Sequence, residues 1–334
     1  MTGPRAAIIA AAAVLIAVEA LGPVSGASAA RLLPIGSVPI EPVAGQMTDL
    51  ALDYANQLLF VLEGGAGAIA VINLATGTVT QMLGGLRAPR GLAHEPPNDQ
   101  LYVALGDGKL AVLQGMPLRQ TALLIIGQDL TRPYYDSGTT RVYLGYDRRA
   151  IAAIDTAHNR KLPSIYLDGD PGPLAFESLG TRLFAALVGE NRILLADRAA
   201  NKQLGSWPTG DLGEATALAL DEDARHLIGA FPQASDLAWF DLSDGGVRGR
   251  AVACSEPARL IVDSLRTRVY LTCGEGLIEI FQRNPAGDYS KADTLKTAPG
   301  ATAALLTPTG DRLYLAVPAS DGCKAEVRIY APDD

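Results

Sequence analysis

Short apolar segments alternate with polar turns along almost the whole chain, and the alternation is periodic. An apolar segment ending on a polar residue is followed by a turn and a second apolar segment built around one bulky residue. Leu50-Ala51-Leu52-Asp53 precedes Leu58-Leu59-Phe60-Val61, and Gly91-Leu92-Ala93-His94 precedes Leu101-Tyr102-Val103. The pattern returns at Pro133–Asp136 before Arg141–Leu144, at Leu174–Glu177 before Arg182–Phe184, and at Leu218–Asp221 before Arg225–Ile228. Leu260–Asp263 before Arg268–Leu271 and Ala304–Thr307 before Arg312–Leu315 complete the series. The bulky positions 60, 102, 143, 184, 228, 270 and 314 lie 41–44 residues apart. A third segment follows several pairs, as in Ile69–Asn73, Ile151–Asp155, Leu237–Asp241 and Ile278–Phe281, and Ala75-Thr76-Gly77 turns into a fourth, Thr78 to Met82. No helical period competes with these segments after the first thirty residues. Seven units of this length predict an all-β chain, a seven-bladed β-propeller with four-stranded blades.

The seventh unit supplies three segments, Thr302–Thr307, Arg312–Val317 and Ala325–Tyr330, and lacks a fourth. Ile35–Ile40 precedes the first unit and belongs to no other blade, so it is expected to complete the last blade and close the ring. Pro34 and Pro39 suit an outer strand, whose free edge tolerates missing donors.

The N-terminal residues read differently. Arg5 is followed by the thirteen-residue apolar run Ala6–Val18 and by Ala27-Ser28-Ala29, the small-x-small pattern of a cleavable export signal. Such a run spans roughly 20 Å as a helix, short of a bilayer core of about 30 Å. The expected organisation is a signal peptide over 1–29 and one propeller domain over 30–334, periplasmic or secreted, with no membrane span after cleavage. The 28 Lys and Arg against 36 Asp and Glu give a net charge of −8. That balance argues against nucleic acid, which needs cationic groups to release counterions, and it gives no polybasic membrane patch.

The Leu-Phe/Tyr-Val second segments and Val71-Ile72-Asn73-Leu74-Ala75-Thr76-Gly77 resemble the YVTN-type β-propeller repeat of exported bacterial proteins, grouped with quinoprotein amine dehydrogenase heavy-chain-like propellers. The resemblance covers nearly all of residues 32–331. It implies the propeller fold and mostly binding or scaffolding roles. Its motifs are packing and turn residues, so it implies no particular chemistry.

In a propeller blade the inner strand starts at the face where the second strand ends. That places Cys254 and Cys273 on one face of the sixth unit, where a disulfide fits an oxidising compartment. Cys323 is left as a free thiol or an intermolecular link. The same frame puts Asp49, Arg132 and Arg259 at equivalent inner-strand positions, with Arg90 and a set of threonines one residue earlier. Glu275 lies on a loop of that face. Asp49, Arg90, Arg132, Arg259 and Glu275 are therefore the candidate ligand-binding residues. Converging arginines suit a carboxylate or phosphate; the alternative is that they pair with Asp49, Glu275 or carbonyls and plug the channel.

No catalytic residue, cofactor or metal site is expected. A gluconolactonase-like cation site needs several acidic and amide ligands where this chain supplies Asp49 alone. Asp53, Asp136, Asp221 and Asp263 recur at inner-strand ends and are expected to cap the turns that follow. His94, His158 and His226 fall in unrelated places, no Cys-x-x-Cys-His appears for covalent haem, and no Gly-x-Ser-x-Gly elbow appears for a nucleophile. The expected function is a non-enzymatic binding or scaffold propeller, its partner a small anionic ligand or a periplasmic protein. The alternative is a propeller enzyme, or an accessory subunit of a periplasmic dehydrogenase or lactonase-like hydrolase.

Overall fold

The computed structural model describes residues 30–41, 45–320 and 324–333. The expected export signal over 1–29 and Cys323 lie outside the described residues. Seven antiparallel sheets follow one another around a ring, each built from strands consecutive in the chain except where the ring closes. From the channel outwards, blade 1 is Met47–Asp53, Leu58–Glu63, Ala68–Asn73 and Thr78–Leu83, and blade 2 is Pro89–Glu95, Gln100–Leu105, Lys109–Gln114 and Arg119–Ile125. Blades 4, 5 and 6 repeat this order, with inner strands Pro171–Phe176, Ala217–Asp221 and Pro257–Asp263. In blade 3 the inner strand is short, Tyr134–Asp136, and the outer strand is split into Arg160–Lys161 and Ile165–Tyr166 around Pro163, which has no donor for the ladder. One 3-10 turn, Gly210–Leu212, is the only helical element among the described residues.

The core lies between the blades. Seven apolar clusters each fill the gap between two neighbouring sheets. All seven recurrent bulky residues, Phe60, Tyr102, Tyr143, Phe184, Ile228, Tyr270 and Tyr314, are buried there. Buried tyrosines need a partner for the hydroxyl: Tyr270 donates to Asp263 at 3.1 Å and Tyr289 to Asp221 at 2.7 Å. The recurrent acids also cap their turns as expected. Asp53 accepts from the Asn56 amide at 3.0 Å, Asp136 from Gly138 at 3.1 Å, Asp221 from Ala224 at 3.0 Å and Asp263 from Arg266 at 3.3 Å.

The ring closes as the pattern predicted, with a longer strand. Leu32–Pro39 pairs antiparallel with Glu326–Pro332 and becomes the outer strand of blade 7. Its start lies three residues before the expected Ile35, because Pro34 sits at a bulge and does not end the strand. The register steps between Pro34 and Gly36, leaving Ile35 as the extra residue. A one-residue step turns the following side chains to the other face of the sheet. Leu32 therefore packs into the cluster shared by blades 6 and 7, while Val38 and Ile40 pack into the one shared by blades 7 and 1.

Candidate functional site

The inner strands of blades 1, 2 and 6 carry the same irregularity at their starts. The pairing steps between Met47 and Asp49, between Pro89 and Gly91, and between Pro257 and Arg259. Each bulge leaves one extra residue, and the side chain after it is re-aimed. Asp49 and Arg259 are thereby brought to the channel wall, together with Arg132 just before the inner strand of blade 3.

Asp49 is 1% exposed and accepts four hydrogen bonds. Oδ1 takes the Leu50 amide at 2.9 Å and Arg259 Nη2 at 2.9 Å. Oδ2 takes the Leu92 amide at 2.9 Å and Arg132 Nε at 2.7 Å. Four blades thus meet on one carboxylate. The Arg132 guanidinium also lies over the Tyr134 ring, 4.9 Å from its centroid. Gly91 makes room for this arrangement, since a Cβ there would stand 2.6 Å from Arg132 Cγ.

The electrostatics follow from two cations sharing one anion. Burial pushes the Asp49 carboxyl up, but Arg132, Arg259 and the Leu92 amide outweigh it and hold the group below the usual carboxylate value. Arg132 is raised, because Asp49 and Tyr134 overcome its burial. Arg259 goes the other way: burial, and then the charge of Arg132, pull it down further than Asp49 restores. Two guanidiniums on one carboxylate leave the triad with one net positive charge at the channel wall.

Two cavities adjoin this triad. One of about 420 Å³ is lined by Arg132, Arg259, Tyr134, Thr216 and aliphatic side chains. The other, about 310 Å³, lies towards the opposite mouth and holds Leu52, Leu92 and His94. Arg132, Tyr134, Leu305 and Leu306 line both, so the two cavities lie on either side of a shared wall.

Arg90 and Glu275 do not join them. Arg90 is the extra residue of its bulge, is exposed, and lines a separate cleft with Thr48, Gly64 and Gly65. Glu275 faces the loop before the inner strand of blade 6, where one oxygen accepts from the Ser255 amide at 3.0 Å and the Glu256 amide at 3.1 Å, and from Ser255 Oγ at 2.5 Å. Burial raises its carboxyl, and these donors bring it below its ordinary value. Thr131 and Thr216 spend their hydroxyls on structure: Thr131 Oγ1 accepts from the Gly145 amide at 2.8 Å, and Thr216 Oγ1 donates to the Pro257 carbonyl at 3.1 Å.

The histidines lie in separate blades, as expected. The structure nevertheless groups donors that the sequence keeps apart. Asp53, His94 and Asp99 bring metal-type donor atoms within 4.8 Å of one another, with His94 Nε2 3.2 Å from Asp99 Oδ1 and 4.0 Å from Asp53 Oδ2. Asp53 belongs to blade 1 and the other two to blade 2, so no local motif announces the group. Both Asp53 oxygens are already engaged by Asn56.

Cys254 and Cys273 are joined in a disulfide with Cα atoms 6.3 Å apart. The bridge fixes the loop that leads into Pro257–Asp263, the strand carrying Arg259. Glu279 holds the same point by accepting the Cys254 amide at 3.0 Å. The Cys254→Ser/Cys273→Ser variant is expected to lose about 3 kcal/mol of stability, the chain-entropy value for a loop of this length. Urea unfolding with and without reductant measures it: the wild type should shift on reduction and the variant should not.

No family model matches this chain, and no curated protein matches it either. Solved structures do. A chain in the "Crystal Structure of Mitotic Checkpoint Complex" superposes with a TM-score of 0.76 at 17% identity, over 98% of this chain and 99% of that one. A chain of "Kuenenia stuttgartiensis Hydrazine Synthase" gives 0.71 at 16% identity, over 87% and 97%. At these identities the likeness shows the fold: the chain is a seven-bladed β-propeller.

Proposed function

We propose that this chain is an exported binding propeller whose ligand, a small anion, enters the channel mouth and is held by Arg132 and Arg259. The observation that carries the reading is the shared Asp49. Its four acceptor positions are filled, it balances one guanidinium, and each arginine gives it a single N–H. A guanidinium has five donors in a fixed fork, so both keep N–H groups for an anion in the adjoining cavity. The side chains of Arg132 and Arg259 remain 28% and 20% exposed. Export is supported by the Cys254–Cys273 bridge, which belongs to an oxidising compartment. Kinship with the YVTN-type repeats is supported by the 71–77 segment. There Asn73 accepts from the Ala75 and Thr76 amides at 2.9 and 3.1 Å, and Gly77 takes a positive φ to enter the outer strand. A periplasmic protein that presents an acidic side chain to the same face is the companion reading, in keeping with a structural neighbour that is part of a complex.

The test compares anions by thermal shift and calorimetry on the wild type and Arg259→Gln. Acetate, sulfate and phosphate are titrated against chloride at equal ionic strength. At least one should stabilise the wild type specifically. Loss of a charge-assisted hydrogen bond should weaken that anion about 10- to 100-fold in the variant. Equal responses of both proteins to every anion would remove the channel from consideration.

A further inference from the structure

Resting on that reading, we infer that the channel ligand is a monocarboxylate with an extended hydrocarbon body. Its head sits on the guanidiniums of Arg132 and Arg259, and its tail runs past Leu305 and Leu306 into the second cavity.

Charge selects the head group. Two guanidiniums and one carboxylate leave one positive charge, which a monoanion neutralises. A dianion would reverse the sign and leave a net negative charge at the triad. Hydrogen bonding selects in the same direction. All four acceptor positions of Asp49 are taken, two of them by the Leu50 and Leu92 amides. A head group bringing donors of its own, such as a protonated phosphate or an ammonium, finds no free acceptor on this carboxylate. A carboxylate needs donors only, and donors are what the arginines still hold.

The walls select the tail. Beside the arginines the first cavity is faced by Leu218, Leu260 and Ile261, and the second by Leu52 and Pro133. Leu305 and Leu306 line both, and neither is fully buried in the ring. They are the apolar surface common to the two cavities, beside the charged wall. A linear chain can follow it, and each added methylene leaves water for an aliphatic surface.

Calorimetry with straight-chain carboxylates from acetate to octanoate tests this on the intact protein. Affinity should rise about three- to fourfold per methylene, the yield of burying one such group. Hexanol, hexylamine, succinate and inorganic phosphate should each bind at least tenfold more weakly than hexanoate. Arg259→Gln should weaken octanoate at least tenfold, and Leu306→Asn should flatten the chain-length dependence. The wild-type series needs no variant, so a substitution that fails to fold does not stop the test. Phosphate or succinate binding as tightly as hexanoate, with dependence on Arg259, would overturn the monocarboxylate class and leave the anion site standing. A flat chain-length series that still depends on Arg259 would overturn the tail path. No Arg259-dependent binding of any anion would overturn the anion site itself, and this inference with it.

Discussion

A chain beginning at residue 41 is expected to lose cooperative folding, and to regain it when a peptide spanning residues 30–41 is supplied. The reference is a chain beginning at residue 30. The closing strand pairs from Leu32 opposite Pro332 to Pro39 opposite Glu326, stepped once at Ile35. The Ile40 amide extends it to the Ala325 carbonyl at 2.8 Å. Leu32, Val38 and Ile40 are 4%, 3% and 1% exposed. Burying each such side chain contributes about 1.5–3 kcal/mol, so the three together approach the roughly 5–15 kcal/mol that separates folded from unfolded domains. Their removal also uncovers the apolar faces they cover on blades 6, 7 and 1. Urea unfolding followed by circular dichroism should change from one sharp transition to a broad, early one. Titrating the peptide should restore the sharp transition in proportion to occupancy. An unchanged transition in the truncated chain would mean that the ring holds without its closing strand.

The second large effect is expected at Arg198, which is 1% exposed and sits just past the third strand of blade 4, Arg192–Asp197. Its Nη1 pairs with Asp136 at the end of the blade 3 inner strand. Its Nη2 donates to the Glu177 carbonyl at 2.7 Å and the Gly180 carbonyl at 2.6 Å, and Nε to the Thr181 carbonyl at 3.3 Å. One side chain thus ties two blades together and donates to three carbonyls of the turn between the first two strands of blade 4. Arg198→Ala leaves the buried Asp136 carboxylate without its counter-ion and takes the side-chain donors from the Glu177 and Gly180 carbonyls, while the Thr181 carbonyl keeps the residue 198 amide at 2.8 Å. A loss of about 3–5 kcal/mol is expected, the range for breaking a buried pair from one side. That corresponds to a fall in Tm of roughly 10 °C for a domain of this size. Removing the charge on both sides, in Arg198→Met/Asp136→Leu, should recover only part of this, because Asp136 also holds the Gly138 amide and the Thr139 hydroxyl. Differential scanning calorimetry of the three proteins decides it. Equal Tm values for wild type and Arg198→Ala would count against a tie between the blades.

These two features differ in how far they could be read from the chain. The closing strand was legible because a propeller repeat leaves one segment over at each end. Its start lies earlier than the apolar run Ile35–Ile40 indicates, because the bulge at Ile35 lets the pairing continue back through Pro34 to Leu32. Asp49, Arg132 and Arg259 were legible as a set because equivalent inner-strand positions face one channel. Arg90 failed by a single residue: the bulge at Pro89–Gly91 makes it the extra residue, and a one-residue offset is enough to reverse a strand's faces. Glu275 depends on the shape of the loop before blade 6, which no periodicity encodes. Arg198 and the Asp53–His94–Asp99 group join residues from neighbouring blades, so neither has a local signature. The repeating residues are those that pack and turn. They specify the ring seven times over and say little about what it holds.

The pairing of Leu32 with Pro332 and of Pro39 with Glu326 brings the two ends of the described chain out of one sheet side by side. A load pulling residues 30 and 333 apart therefore acts on the ladder one rung at a time, by peeling, and never on all its rungs together in shear. The closure that makes the ring cooperative is for the same reason its mechanical weak point. A tether at both ends would open the molecule at blade 7 well before any other blade yields.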